Sequence, residues 1–251
     1  MTVILVPYHL DEHLPGLRAL LPAAVEPTTV NADFREGDVW SRLGDVGVRT
    51  AQAVAETAHG NPVIVSGDCS TSMAVLAGLQ RTGIDAGIVW FDAHGDVQTV
   101  ETSASGYPGG MPLRIITGYR PELIAERLGL KAIAEDRALL VGARDLDPPE
   151  IAYLGEAKIR QSKIEDVAEH LPPGPLVLHI DADVIDSDQM PGLRYPVGCG
   201  PSVEDVVAAA GRVLATGRVV AVDIACTWFD EAPEWTRASL LSALLAEAAW
   251  T

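Results

Sequence analysis

Val89-Trp90-Phe91-Asp92-Ala93-His94-Gly95-Asp96 is an apolar run that stops abruptly at Asp92, His94 and Asp96. Branched and aromatic residues suit a parallel strand buried on both faces, whereas Asp and His are costly there unless their charge is compensated. A divalent cation is the simplest compensation. Alternation along an extended chain puts Asp92, His94 and Asp96 on one side of the backbone, facing a common volume beyond the strand's carboxyl end. Open α/β sheets bind ligands at that end.

A second stretch has the same design. Leu176-Val177-Leu178-His179-Ile180 is apolar apart from one His, and Asp181-Ala182-Asp183-Val184-Ile185-Asp186 follows with carboxylates at i, i+2 and i+5. A single Asp at a strand end ordinarily caps a helix or satisfies a turn. Two apolar strands each ending in Asp-x-His/Asp instead gather four carboxylates and an imidazole in one cleft, where they would repel one another strongly without bound cations.

Outward from these strands the chain alternates short branched runs with amphipathic stretches. Val3 to Val6 reads as a first strand, Thr28 to Asn31 as a short second, and Pro62 to Val65, Ala138 to Gly142, Lys158 to Gln161 and Val219 to Ile224 as others. Helices are expected at Leu14 to Leu21, at Ser41 to His59 with a break at Gly44 to Gly47, and from Thr71 onward. Further helical stretches are Pro121 to Leu128, Glu150 to Leu154, Ile164 to His170, Val203 to Leu214 and Trp235 to Trp250. The βα alternation predicts a mostly parallel sheet of about eight strands covered by helices on both faces, because parallel crossovers need covering layers. His9, Asp11 and His13 lie in a stretch without apolar context and read as a solvated loop. Val97 to Pro112, rich in hydroxyls, Gly and Pro, reads as a long irregular loop beside a strand's carboxyl end, the usual place for a binding surface. Cys69, in Ser66-Gly67-Asp68-Cys69-Ser70, sits at a third strand tip. It is either a core residue under a helix or a thiolate ligand activated by the helix N-terminus.

The 251 residues are 48% hydrophobic, enough for one large α/β domain over 1–251, and no composition shift marks a linker. A formal charge of −17 argues against nucleic acid or anionic membranes as partners. Three scattered cysteines, Cys69, Cys199 and Cys226, make no disulfide framework and fit a reducing cytosol. The N-terminus has no basic segment and no apolar run reaches membrane-spanning length, so a soluble cytoplasmic protein is expected. Neither Gly-x-Gly-x-x-Gly after the first strand nor Gly-x-x-x-x-Gly-Lys is present, which removes dinucleotide and P-loop readings.

Ser66-Gly67-Asp68-Cys69-Ser70, Asp92-Ala93-His94-Gly95-Asp96, Gly142-Ala143-Arg144-Asp145-Leu146-Asp147-Pro148 and Asp181-Ala182-Asp183-Val184-Ile185-Asp186, in this order and spacing, resemble the signatures of the arginase/agmatinase (ureohydrolase) family. The resemblance implies a three-layer α/β/α sandwich with two divalent ions, manganese in the family. One ion would take Cys69, Asp92, Asp96 and Asp181, the other His94, Asp92, Asp181 and Asp183, with Asp92 and Asp181 bridging. Two such cations about 3.5–4 Å apart share a hydroxide for attack on a guanidinium or amidine carbon. Asp96 would orient that nucleophile. By the same resemblance Ser105 meets the substrate carboxylate, Gln98 stands for an Asn of the family, and Asp147 contacts the α-amino group. Trimers or hexamers are common in the family, so a homo-oligomer is expected.

Three departures bear on function. Cys69 replaces the family's first ligand His, and thiolate favours zinc or iron; some relatives acting on hydroxyarginine carry Cys there. Gly109 aligns with a loop His that shuttles protons. Cys226 aligns with the Glu that pairs with the guanidinium, removing a charge-assisted contact of roughly 1.5–3 kcal/mol. The first expectation is a hydrolase of a C–N bond in a guanidino or amidino amino-acid-like small molecule, such as a substituted or hydroxylated arginine. The others are a catalytically degenerate metal-binding member with a regulatory or assembly role, and a deacetylase-like amidohydrolase.

Overall fold

The computed structural model describes residues 2–34, 36–229 and 234–249. Eight strands form one sheet: β1 (Val3–Val6), β2 (Thr28–Thr29), β3 (Val63–Ser66), β4 (Gly87–Phe91), β5 (Ala138–Val141), β6 (Arg160–Ser162), β7 (Leu176–Asp181) and β8 (Val219–Ala225). Their order across the sheet is β2-β1-β3-β8-β7-β4-β5-β6, and every neighbouring pair is parallel. The helices are α1 (Val39–Thr57), α2 (Thr71–Arg81), α3 (Pro112–Ile116), α4 (Ala125–Leu128), α5 (Pro148–Glu156), α6 (Val203–Leu214) and α7 (Glu234–Ala248).

The near-continuous apolar strands follow from burial on both faces. Ile64, Ile88, Trp90 and Val177 point into one core with Val54 of α1, Leu76 of α2 and Leu128 of α4. Val63, Val65, Val89, Phe91 and Leu178 point the other way, into a core with Val206 and Val213 of α6 and Leu241 and Leu244 of α7. These two cores on either side of the sheet make the three layers expected from the sequence.

The topology places the site. β3 and β4 are consecutive in sequence but separated in the sheet by β8 and β7, so the chain reverses its winding there and leaves a crevice above the strand ends, where doubly wound sheets bind ligands. Register then sets the level: Ser66 pairs with Ala225, Ala225 with Asp181, and Phe91 with Ile180. Asp92, the residue after Phe91, therefore emerges beside Asp181.

Several local expectations are corrected. α1 runs unbroken through Gly44 and Gly47, started by Asp38, whose carboxylate accepts the Ser41 amide hydrogen bond at 2.8 Å. These glycines serve close packing: a Cβ at Gly44 would lie 2.7 Å from Arg127 Cδ, and one at Gly47 2.7 Å from Leu128 Cδ2. Leu14 to Leu21 forms a 3₁₀ helix over Pro15–Leu20, and the helical signal at Ile164 to His170 reduces to a 3₁₀ turn over Val167–Glu169. Pro121 to Leu128 divides into a 3₁₀ turn and the short α4. His9 is not in a solvated loop. It is buried in an antiparallel ladder in which Tyr8 pairs with His13 and His9 with Glu12, although His13 itself is exposed. The last helix is described to Ala248, and Trp250 lies outside the described residues. Among the described residues no helix is long and apolar enough to cross a membrane.

α1 and α2 pack through Gly78, where an added Cβ would meet the Ala51 carbonyl oxygen and Val54 Cβ, each at 2.7 Å. Backbone cannot yield as a side-chain tip does, so Gly78→Ala is expected to lower stability by about 1–3 kcal/mol despite a helix-propensity gain of about 1 kcal/mol. Gly155→Ala in α5, where nothing lies within 4 Å, is expected to be neutral or stabilising. Urea unfolding midpoints of the two variants check the contrast; equal midpoints would refute the packing role.

Candidate metal centre and its cavity

The two acid-tipped strands use one local device. Asp92 Oδ1 accepts the backbone amide of His94 at 2.7 Å, and Asp181 Oδ1 accepts that of Asp183 at 2.8 Å. Each first Asp thus closes an Asx-type turn that swings the residue two positions on into the same crevice. A continued strand is not what makes the ligands converge: after Asp181 the chain enters a 3₁₀ turn over Ala182–Val184, and Asp96 takes a left-handed φ of +52°. A non-glycine residue held there is strained, a feature that clusters at functional sites. The strands are also cross-tied, since Ala93 N donates to Asp183 Oδ1 at 3.3 Å.

On this floor His94 Nδ1 lies 3.1 Å from Asp183 Oδ2 and 3.3 Å from Asp92 Oδ1. Asp92 Oδ2 accepts the Trp90 indole N–H at 3.0 Å. From the turn between β3 and α2, Cys69 Sγ approaches Asp181 Oδ2 at 2.6 Å, while Thr227 Oγ1 donates to Asp181 Oδ1 at 2.5 Å. Among the described residues two sets have ligand atoms mutually within 4.8 Å: Asp92, His94 and Asp183, and Cys69, Asp92 and His179. Asp96 Oδ2 and His179 Nε2 are buried without a hydrogen-bond partner. Buried orphan acceptors are rare, and with thiol, carboxylate and imidazole donors so close together they fit divalent cations.

Above the floor opens a cavity of about 340 Å³. Its lining includes Cys69, Asp92, His94, Asp96, Gln98, Ser105, Asp147, Asp181 and Asp183, so nine of the ten residues singled out in the sequence meet in one place. The tenth does not. Cys226 is fully buried in the core under α6 and α7, outside the lining, and the next residue, Thr227, reaches the cavity instead. Alternation at the end of β8 accounts for the difference.

The outer wall is pre-arranged. Gln98 Nε2 donates to Asp147 Oδ2 at 2.8 Å, and Thr102 Oγ1 donates to Gln98 Oε1 at 2.7 Å. Asp147 caps α5 in a capping box with Glu150, whose other oxygen accepts the Val97 amide at 3.2 Å. Glu150 was overlooked in the sequence, although Asp-x-x-Glu before an apolar run signals it. Tyr107, Tyr195 and Asp145 also line the cavity. Tyr107 Oη donates to Asp68 Oδ2 at 3.2 Å and lies 3.3 Å from His9 Nε2, whose ring stacks on it at 5.9 Å. A Cβ at Gly109 would run into the Tyr107 ring, so this position has no room for a side chain while Tyr107 is seated. No short-range pattern reveals Tyr107 or His9, because what joins them is a contact across 98 residues of chain.

Electrostatics show what the floor lacks. Burial pushes Asp96 well up, with Asp92 adding to it, and burial with Asp181 does the same to Asp183. Burial and Asp92 raise Asp181 to about 6. Burial and Asp181 likewise hold Cys69 protonated, well above its ordinary value. His94 is driven the other way. Burial alone would lower it, but Asp183 and Asp92 push it to about 12, and its charge in turn keeps Asp92 below the usual carboxylate range against the cost of burial. One imidazolium cannot neutralise four buried carboxylates, and an added cation would reverse each upward shift.

A stability signature follows for protein stripped of metal. Asp181 has a folded value near 6 against about 3.9 in an unfolded chain. Its contribution is therefore fully present below about pH 4 and lost as pH rises through about 6. In excess chelator the melting temperature should fall over this window, less so for Asp181→Asn, and saturating Mn²⁺ should remove most of the fall. Identical slopes for the chelated parent and variant would contradict the assignment.

The Arginase family model matches residues 41–248. Among curated proteins, the chain is 33% identical over 178 residues to an arginase of Schizosaccharomyces pombe, covering 64% of this chain and 55% of that one. It is 30% identical over 176 residues to an arginase of Bacillus subtilis, covering 64% and 60%. The matched stretch thus spans little more than half the length of these relatives. Among solved structures, the arginase of Bacillus caldovelox superposes with a TM-score of 0.85 at 22% identity, over 98% of this chain and 97% of that one. The formimidoylglutamase of Bacillus subtilis superposes with a TM-score of 0.76 at 18% identity, over 98% and 85%. With a family match across most of its length, a range that includes the strands holding the acidic floor, the chain belongs to the arginase family.

Proposed function

We propose that this protein is a binuclear-metal hydrolase that cleaves a C–N bond of a guanidino or amidino amino-acid-like substrate. The observation that carries the reading is the acidic floor: buried carboxylates from two neighbouring strand ends, each destabilised by the others, beneath a cavity sized for a small molecule. Cys69, Asp92, Asp96 and Asp181 would hold one cation, and His94, Asp92, Asp181 and Asp183 the other. When bound, the pair would supply positive charge that ionises an attacking water and polarises the substrate. Manganese is the family's metal, and the Cys69 thiolate adds affinity for zinc or iron.

The chain's own groups do the rest. Asp96 Oδ2, the unpartnered oxygen on a strained backbone, accepts the hydrogen of the attacking water and fixes its direction. Asp147, held by Gln98, receives the substrate's ammonium, and Ser105 its carboxylate. Tyr107 is held protonated by burial and by Asp68, and it presents its ring and hydroxyl to the cavity wall. No carboxylate stands where Cys226 is buried, so nothing there pairs with a fully charged guanidinium. A less basic group, as in a hydroxylated or otherwise substituted arginine, loses less by that absence. The same feature favours a second reading, a metal-binding member without turnover; cation binding with no urea release from any guanidino compound would establish it.

Two outcomes test the proposal. Asp92→Ala and Asp181→Ala should each lose both cations, and Asp183→Ala only one, by elemental analysis of the purified variants; either bridging variant retaining two would overturn the site. In a guanidino screen for urea or hydroxyurea release, arginine should fall at least about 10-fold below the best substrate in kcat/KM, given a missing contact of about 1.5–3 kcal/mol. That substrate should carry a free α-amino group, and Asp147→Ala should raise its KM with little change in kcat. A best substrate without an amino group would refute the role of Asp147.

A further inference from the structure

His179 is the only polar residue in the run Leu176 to Ile180, and it is fully buried. It projects from β7 on the face toward α2, beside Trp90, whose ring centroid is 3.8 Å away. Its Nδ1 lies 3.0 Å from Asp223 Oδ2 on β8 and 2.8 Å from Ser72 Oγ at the start of α2. Ser72 Oγ also lies 2.5 Å from the same Asp223 oxygen. Asp223 can only accept, so Ser72 gives it its single hydroxyl proton and becomes an acceptor toward His179. The imidazole proton is then on Nδ1, and Nε2 carries a lone pair. That lone pair is buried with no hydrogen-bond partner, and a ring nitrogen of His179 lies within 4.8 Å of ligand atoms of Cys69 and Asp92.

A buried imidazole that donates one N–H to a carboxylate and keeps the other nitrogen bare is the arrangement of metal-bound histidines, in which the carboxylate fixes tautomer and ring orientation. We propose that His179 Nε2 is a ligand of the cation on the Cys69 side, with Asp223 and Ser72 as its positioning residues. This rests on the reading of the floor as a metal centre and adds to it. Neither alternation nor the family resemblance assigns His179 a role. From β7, two strands across the sheet from the β3 tip that carries Cys69, the residue replaces the imidazole that the family places at the position of Cys69. A centre with thiolate, imidazole and carboxylate donors prefers zinc over manganese more strongly than one with thiolate and carboxylates alone.

The decisive measurement needs no substitution in the protein examined. Full-length protein labelled with ¹⁵N at histidine is titrated with Zn²⁺ and with ¹¹³Cd²⁺, and imidazole nitrogens are followed by long-range ¹H–¹⁵N correlation, with His179 and His94 assigned from His179→Gln and His94→Gln. The expected result is a ¹¹³Cd coupling on His179 Nε2 while Nδ1 stays protonated. If His94 responds and His179 does not, the proposal falls and the metal centre stands; if neither responds and no metal is retained, the reading of the site falls with it. Affinity gives a second readout. His179→Gln should weaken Zn²⁺ binding at the Cys69 side at least about 10-fold, and Asp223→Asn by about 10–100-fold. Both should keep the thiolate-to-cobalt charge-transfer band of Co²⁺-loaded protein, which Cys69→Ala loses. A His179→Gln variant that melts earlier yet binds Zn²⁺ with unchanged affinity would show a purely structural residue.

Discussion

Mutual repulsion among carboxylates at the ends of β4 and β7 is the constraint around which this molecule is arranged. Register places Asp92 beside Asp181, and Asx-type turns then bring His94 and Asp183 into the same crevice. In water such a group would cost little. Under an apolar sheet with helices on both faces it raises three of the four carboxyls and forces the His94 imidazole to hold its proton to about 12. Among the described residues no Arg or Lys is ion-paired with these carboxylates: Arg144 feels Asp183 and Asp92 only through space and spends its hydrogen bonds on the carbonyls of Gly198, Val184 and Val197. It binds the loop after β7 to the segment before α6, stiffening the frame and leaving the charge deficit to be met by a ligand.

Rigidity of that frame has a packing origin. Gly44, Gly47 and Gly78 let α1 approach α4 and α2, and the N-terminus of α2 carries Ser72 against the sheet below Cys69. At the centre itself, strain is held at Asp96, which is buried at a left-handed φ. Helix, turn and strand end therefore act on one another through the centre, and a cation bound there would stabilise the fold as well as complete the site.

The two ligand-bearing strands were legible because their physics is local: an apolar run that terminates in Asp-x-His/Asp is visible without knowledge of the partners. Eight parallel strands followed from the same βα rhythm. Register, and with it the adjacency of Asp92 and Asp181, was not legible, since strand order is set by packing between distant segments. The glycines of α1 illustrate a different failure, in which a residue that weakens a helix by itself is favoured by a neighbour only the fold supplies. Tyr107 was not legible, and His9 read as part of a solvated loop, for a related reason, since what places them beside the cavity is contact with each other and with Asp68. Cys226 was placed in the site by alignment with a family position, but the end of β8 turns that side chain into the core and presents Thr227.

Softness of donor ties these features to chemistry. A site of carboxylates alone suits hard cations, and one thiolate shifts preference only partly, because Asp92, Asp96 and Asp181 still supply the larger share of charge. An added imidazole changes the balance by contributing a neutral, borderline donor without worsening the repulsion that governs the floor. A neutral ligand has a further consequence. Each extra carboxylate would reduce the net positive charge left on the cation and so weaken its pull on a substrate water, whereas a neutral nitrogen leaves that charge intact. With no carboxylate at the Cys226 position, a substrate of lower basicity, as proposed, would depend more on that polarising charge than on ion pairing there. On the proposed reading, the burial of Cys226 and the orphan nitrogen of His179 point the same way, toward a centre that would draw more on its cation than on an acidic contact at the end of β8.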